Sequence, residues 1–242
     1  MNHRITAQLR DLRVELAPGD KPPALVAAVA AGGAAPLGAL AELAAQQQRI
    51  ITSDRRSLLL LATRCADRPL GAWFAALAEG ESTALGLLPA LAAACGSDPG
   101  RSAARPPLPG CQAYPAYLAW LALNGRPDAV AAALVANFAA WGGYCAALAE
   151  ALRRRHGFDD EACAFFDFFA RPATALEEQA AAALAHQDVE PSDPDPSAGL
   201  HAATLNAAAL PAGTLTAARE YGRLLQAYER LFWETLTAPP TG

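Results

Sequence analysis

QAYERLFWETL, residues 226–236, has the spacing of a helix that presents one carboxylate and two aromatic rings on the same side. Glu229, Phe232 and Trp233 are three and four residues apart, and residues at those spacings share one face of an α-helix. A carboxylate held among aromatic rings loses solvation, which raises its pKa and makes it a candidate proton donor near neutral pH. The alternative is that Glu229 lies at the edge of the apolar stripe and reaches solvent or a neighbouring arginine.

The rest of the chain has the composition of helices joined by short connections. Of its 242 residues, 53% are hydrophobic, which is enough to bury a substantial core. Long Ala- and Leu-rich segments alternate with Pro and Gly, and strand signals are nearly absent. We therefore predict an all-α fold. The helices are expected near 22–31, 36–66, 69–95, 112–124, 127–155, 159–186 and 214–237, with a further short one at 200–209.

Two stretches are too rich in Pro, Gly and Asp to continue a helix: SDPGRSAARPPLPG (97–110) and DVEPSDPDPS (188–197). The helices between them carry apolar stripes too wide for an isolated hairpin, so we expect one core and a single domain. In the expected organisation, an N-terminal segment and a first helix (1–35) pack on the helical bundle (36–237), and a short tail (238–242) follows.

Charge and hydropathy argue against two classes of partner. The formal net charge is −5, with Arg and Glu interspersed, so no long-range attraction to a phosphate backbone is expected. The basic run RRRH at 153–156 precedes Gly157, where positive charge complements a helix end, and we interpret it as a C-terminal cap. The start of the chain, 1–16, lacks the apolar core of a signal peptide, and no run of about 18 uncharged apolar residues follows. We expect a cytoplasmic protein that binds neither nucleic acid nor a membrane.

Metal, cofactor and disulfide chemistry have little support in the sequence. No Glu stands three residues before a histidine, as the ExxH pairs of di-iron bundles require, so we predict no metal site and no cofactor. The cysteines are odd in number and scattered, without a CxxC pair, which is typical of free thiols. The histidines are His3, His156, His186 and His201, and the cysteines are Cys65, Cys95, Cys111, Cys145 and Cys163.

Three segments of the chain together resemble one family of proteins. They are YERLFW (228–233), CQAYPAYLAWLALNGRPDAVAAALVAN (111–137) and AAQQQRIITSDRRSLLLL (44–61). The first is similar to the closing YExxFW motif of the TenA family, the thiaminase II group. The second is similar to that family's stretch from a pocket tyrosine, through a turn glycine, to the catalytic cysteine, and the third to its first pocket helix. The resemblance spans about 36–237 and implies a haem-oxygenase-like multi-helix bundle.

The resemblance also implies which residues line a ligand pocket. Glu229 falls on the family's active-site Glu, and Asn137 falls on its catalytic cysteine. Pocket tyrosines of the family fall on Ser57, Trp141 and Phe169, so the pocket of this chain is more apolar. The candidate catalytic residue is therefore Glu229, and the candidate ligand-binding residues are Asp54, Ser57, Tyr114, Asn137, Trp141, Phe169 and Phe232.

The departure at Asn137 decides which functions stay open, because asparagine cannot replace a thiolate as a covalent nucleophile. One is a divergent thiaminase II-like hydrolase that uses Glu229 as acid and base, with water in place of the thiolate. Another is a non-catalytic protein that binds a small heteroaromatic, pyrimidine- or thiamin-related ligand. The third is a metal- or oxygen-dependent enzyme of the wider haem-oxygenase-like group, which the shortage of histidines disfavours. Whether the chain is an enzyme is left open.

Two further expectations concern neighbouring residues and assembly. Cys111, near a helix start where the dipole lowers a thiol pKa, is the best-placed substitute nucleophile, although such a cysteine is more often a small apolar filler. Tyr144, seven residues after Asn137, is expected near the far end of the pocket. The resemblance implies a homo-oligomer, a dimer or a tetramer.

Overall fold

The computed structural model describes residues 3–97, 105–186 and 209–237. Within these ranges the chain forms nine α-helices and no strand, which confirms the all-α prediction. The helices are α1 (His3–Leu16), α2 (Ala24–Ala31), α3 (Leu37–Arg64), α4 (Pro69–Ala94), α5 (Pro109–Asn124), α6 (Pro127–His156), α7 (Asp160–Ala170), α8 (Thr174–Ala185) and α9 (Ala212–Thr237).

The N-terminal helix α1 was not expected, because charges are spread through its sequence. Its apolar residues nevertheless recur at helical spacing, and Ile5, Leu9, Leu12 and Leu16 are all buried. They face α6, α8 and α9, on which α1 packs. The amphipathic stripe is narrow, and it stabilises the helix only through this tertiary contact.

The predicted helix 159–186 is two helices, α7 and α8. Pro172 lies between them, and proline lacks the N–H that a continuous helix needs. Arg171 is extended, with φ −62° and ψ 137°, as the residue before a proline prefers. The helix therefore ends here. A second difference from the prediction concerns α5, which starts three residues earlier than predicted, at Pro109. The suggested helix at 200–209 lies almost entirely outside the described residues.

The end of α6 has the predicted cap. Gly157 adopts φ 70°, the left-handed conformation that glycine allows at little cost. The basic residues of the last turn also fix the next helix: Arg153 binds Asp160 at 2.7 Å and Asp167 at 2.9 Å, so α6 and α7 are tied together at their junction. His156 contacts the carbonyl oxygen of Val29 at 2.8 Å and ties in α2.

Helix α6 lies at the centre of the bundle and packs against α1, α2, α7, α8 and α9. It is the one helix in the described ranges that is long and apolar enough to cross a membrane by length and composition, and so it is the exception to the expectation of no such stretch. Core helices pass the same test, and 56% of its most apolar window is buried inside the bundle.

The remaining contacts enclose a space beside α6. Helix α3 packs on α4 and α5, α9 packs on α5 and α6, and α7 bridges α4 and α6. At one point α6 and α7 approach closely: a Cβ on Gly142 would lie 2.9 Å from the carbonyl oxygen of Phe169. Glycine at 142 therefore permits a helix contact that brings the aromatic residues of α7 to the interior space.

Candidate functional site

The interior space is a cavity of about 630 Å³. A volume of this size holds a small molecule or cofactor. The cavity is lined by residues of α1 and of α3 to α9, including seven of the eight predicted site residues. These are Asp54, Tyr114, Asn137, Trp141, Phe169, Glu229 and Phe232.

Ser57 is the predicted site residue that does not line the cavity. Helix α3 presents Gln47, Ile50, Ile51, Asp54 and Leu58 to the cavity. Leu58, four residues after Asp54, takes the place expected for Ser57. The hydroxyl of Ser57 instead donates to the carbonyl oxygen of Ser53 at 3.1 Å, on its own helix.

Glu229 lies inside the bundle, at the polar end of an aromatic cluster. Its exposed fraction is 6%, and those of Phe232 and Trp233 are 3% and 2%. The alternative of an exposed Glu229 paired with an arginine is therefore wrong. The amide nitrogen Nδ2 of Asn137 donates to Glu229 Oε2 at 3.0 Å, while the buried Oε1 has no hydrogen-bond partner among the described residues. Burial raises the pKa of Glu229 to about 7, against the lowering effect of Asn137 and Trp233.

Asn137 is held at both ends of its amide. Its Oδ1 accepts a hydrogen bond from Nε2 of Gln226, and its Nδ2 donates one to Glu229. The hydroxyl of Tyr114 also lies close to Asn137. Burial raises the pKa of this tyrosine well above its ordinary value, so the hydroxyl keeps its proton. Asn137 therefore orients the carboxyl of Glu229 and connects α6 to α9 and α5.

Aromatic side chains surround this polar network. Trp141 is the centre of the group, with ring centroids 5.8 Å from Phe169, 6.1 Å from Phe232 and 5.4 Å from Trp233. The rings of Phe169 and Phe232 meet Trp141 edge to face, which is a favourable arrangement for aromatic pairs. A planar ligand in the cavity would meet a wall of π faces and edges.

A second carboxylate site lies on α3 and α4. Asp54 is 6% exposed, and its buried Oδ1 has no hydrogen-bond partner among the described residues. Glu81 of α4 lines the same cavity. Burial raises the pKa of Asp54 well above its usual range, and the nearby charge of Glu81 adds to this effect. Burial also raises the pKa of Glu81 to about 8.

Glu81 was missed by the sequence reasoning, although a signal was present. It lies seven residues after Phe74, three after Ala78 and seven before Leu88, so it falls within the apolar stripe of α4. Phe74, Ala78 and Leu88 are buried. An acidic residue inside such a stripe indicates a polar cavity wall.

The opposite part of the cavity is bounded by α1 and α8. Arg13 of α1 and Glu177 of α8 both line the cavity and form an ion pair of 2.6 Å. The connection between α7 and α8, at 171–173, forms part of the same wall. The indole nitrogen of Trp73 donates to the carbonyl oxygen of Leu176 at 2.9 Å and fixes the start of α8.

A depression of about 700 Å³ lies on the other side of α9, beneath the connection between α1 and α2. Tyr144 lines this depression and not the cavity, and its ring meets that of Trp233 edge to face at 5.7 Å. The expected position of Tyr144 at the far end of the pocket is therefore wrong. Glu229 borders both spaces, so its side chain separates the cavity from the depression.

None of the five cysteines lines the cavity. Cys111 is fully buried, and burial raises the pKa of its thiol to about 12. Burial likewise raises the pKa of the Cys145 thiol well above its ordinary value. Cys111 therefore has the role of an apolar filler. Among the described residues, no group of three or more His, Cys, Asp or Glu side chains is arranged to hold a metal ion.

The chain is similar in structure to a solved domain of unknown function with a haem-oxygenase-like fold from Shewanella denitrificans OS217. The TM-score is 0.67, the sequence identity is 12%, and the match covers 95% of this chain and 89% of that one. At this identity the similarity shows the fold alone, and it confirms the predicted haem-oxygenase-like bundle. No protein-family model and no curated protein sequence matches the chain.

Proposed function

We propose that this protein binds a small heteroaromatic molecule, of the pyrimidine- or thiamin-related class, in the cavity of the bundle. The observation that carries the proposal is that two buried carboxyl side chains, Asp54 and Glu229, line one cavity, and each has an oxygen without a hydrogen-bond partner among the described residues. Buried polar atoms in proteins are nearly always hydrogen-bonded. Donors on a ligand would satisfy both atoms.

An amino-substituted heteroaromatic ring fits the rest of the lining. Its N–H groups suit carboxyl acceptors, and its faces suit the aromatic group around Trp141. Tyr114 and Asn137 add a hydroxyl and an amide that can orient ring nitrogens. The resemblance of three sequence segments to the TenA family supports the same ligand class.

Non-catalytic binding is favoured over covalent catalysis, because Asn137 is engaged at both ends and no thiol lines the cavity. A hydrolase is the second candidate, and Glu229 is the observation that favours it. A general acid or base works best with a pKa near the working pH, and burial raises the pKa of Glu229 to about 7. Because Glu229 also borders the outer depression, it has a second side from which protons can be exchanged.

A cavity-filling variant tests the binding site. Gly80 lines the cavity, and a Cβ there would meet only Phe168, at an ordinary 3.6 Å. Gly80→Leu should therefore fold and occupy ligand space. We expect wild-type protein to bind a hydroxymethyl aminopyrimidine in calorimetry, and we expect this ligand to raise the melting temperature of the protein. Gly80→Leu should bind the same ligand at least about tenfold more weakly.

The matched control is Gly86→Leu on the same helix, where a Cβ would meet nothing within 4 Å and no cavity is lined. This variant should bind as wild type does. Equal binding by wild type and Gly80→Leu would place the ligand elsewhere, and no binding of aminopyrimidine, thiamin or related rings to wild type would contradict the proposed ligand class.

We also propose that the protein forms a homo-oligomer, a dimer or a tetramer, as the resemblance implies. Large exposed apolar side chains on α5 and on the two helices that pack against it, α3 and α9, support association, because apolar surface is favourably buried when subunits associate. They are Leu59 and Leu60 of α3, Trp120 and Leu123 of α5, and Leu224 and Leu231 of α9.

Charged substitutions on α5 test the assembly. Trp120 is 50% exposed and Leu123 is 67% exposed, so replacing both by Glu should leave the fold intact. We expect the double variant to sediment with a lower mass than the wild type at micromolar concentration. Leu37→Glu, at the other end of α3, is the control. A monomeric wild type would refute the proposal.

A further inference from the structure

Two carboxyl side chains line the cavity from neighbouring helices, and no cationic side chain of the described residues pairs with either of them. Asp54 reaches it from α3 and Glu81 from α4, and these two helices pack directly on each other. Neither forms an ion pair within the described part of the chain. The Asp54 side chain is more than nine-tenths buried, and one of its oxygens lacks any hydrogen-bond donor there.

The charges of the whole lining favour a cation at this place. Arg13 is paired with Glu177 at 2.6 Å, although its buried Nε has no hydrogen-bond partner among the described residues. Arg171 is exposed at the wall formed by the α7–α8 connection. The charges of Arg13 and Glu177 cancel. The remaining charged groups are three carboxyls and one guanidinium: Asp54, Glu81, Glu229 and Arg171. The ionisable groups lining the cavity are Asp54, Glu81, Tyr114, Glu177, Glu229, Arg13 and Arg171.

Isolated buried carboxylates are costly, and a protein avoids the cost by keeping the groups protonated or by pairing them. Burial raises the pKa of Asp54 well above its usual range and that of the half-buried Glu81 to about 8. A cationic ligand group would stabilise the ionised forms and displace their protons. An amidinium or primary ammonium also offers several N–H donors, enough for both carboxyls at once.

We propose that Asp54 and Glu81 together hold a protonated nitrogen group, an amidinium or a primary ammonium, carried by an aromatic ligand. This inference rests on the proposed function, because it requires that the cavity binds a small molecule. It narrows the ligand class from heteroaromatic rings in general to an aromatic molecule that carries an amidinium or a primary ammonium. Glu81 thereby becomes a specificity-determining residue.

Benzamidine and benzamide form the probe pair, because they share shape and differ in positive charge. Wild-type protein should bind benzamidine at least about tenfold more tightly than benzamide in calorimetry. Asp54→Asn and Glu81→Gln should each lose at least about tenfold in benzamidine affinity and keep their benzamide affinity. Benzamidine binding to wild type should also release protons, which appears as a dependence of the heat on the buffer.

The matched control is Glu79→Gln, which removes the same charge from an exposed position of the same helix. It should bind both probes as wild type does. Both test substitutions replace an acid by its amide of the same shape, and melting curves show whether each variant folds. If Asp54→Asn fails to fold, Glu81→Gln alone decides.

Three results would overturn the inference. Benzamide or a neutral aminopyrimidine binding as tightly as benzamidine would refute the cation requirement and leave the proposed function standing. An equal loss in Glu79→Gln and Glu81→Gln would assign the effect to overall charge. Tight binding of Mn²⁺ or Zn²⁺ alone, lost in Glu81→Gln, would assign the two carboxyls to a metal. If no probe and no aminopyrimidine binds, the proposed function fails, and this inference fails with it.

Discussion

Replacing Glu229 by glutamine is expected to remove a loss of stability that the wild-type protein shows between about pH 4.5 and pH 7. Below pH 4.5 the carboxyl is protonated in both the folded and the unfolded chain, so it has no effect on their balance. As the pH rises, the unfolded chain ionises first and is favoured. Above about pH 7 both states are ionised and the loss is complete. The rise in pKa from 4.5 to about 7 corresponds to about 3 kcal/mol, at about 1.4 kcal/mol per unit.

Urea unfolding at steps from pH 4.5 to pH 8 measures this effect. The stability of Glu229→Gln relative to wild type should increase with pH by about 3 kcal/mol across the range. Asp54 and Glu81 add losses of the same sign, because burial raises their pKa values too, and these remain in the variant. Glu234→Gln, an exposed substitution five residues further along α9, should follow wild type. A constant difference at all pH values would mean that Glu229 titrates alike in both states.

The helical architecture could be predicted because prolines and glycines mark where several helices start and end. Pro69, Pro109 and Pro127 each lie at the first position of a helix, and Gly157 ends α6 in the left-handed conformation. Helix α1 was missed because charges are spread through its sequence, although its four buried residues recur at helical spacing. The split at Pro172 was missed although a proline inside a predicted helix is a break that the sequence itself shows.

The candidate site could be predicted in part. The spacing of Glu229, Phe232 and Trp233 sufficed to place one carboxyl and two rings on one helix face, and all three are buried. The hydrogen bond from Asn137 to Glu229 joins residues that are 92 positions apart. No local periodicity encodes such a pair, and it was expected only through resemblance. Glu81 belongs to no motif of that resemblance, so only the packing of α4 on α3 brings it to Asp54.

The residue at position 137 also determines whether the site can act by covalent hydrolysis or only by binding. It falls on the position of the catalytic cysteine in the resemblance, and its amide lies 3.0 Å from Glu229. A carboxyl with a raised pKa can accept the proton of a thiol placed there, since Oε1 is free of other partners among the described residues. The wild-type chain has a buried carboxyl with a raised pKa at this place but no thiol beside it.

Asn137→Cys is therefore expected to raise the rate of aminopyrimidine hydrolysis, measured as ammonia release, by at least about 100-fold over wild type. Loss of a covalent nucleophile commonly removes several orders of magnitude in rate, and restoring one recovers part of that. Asn137→Ser, which has similar size but no thiol, is the control and should stay at the wild-type rate. The double variant Asn137→Cys with Glu229→Gln should lose the gain, because the thiol then has no base. Rapid turnover by wild type, unchanged in Asn137→Cys, would instead show that the protein is a hydrolase that needs no thiol at position 137, and loss of that turnover in Glu229→Gln would assign the activation of water to Glu229.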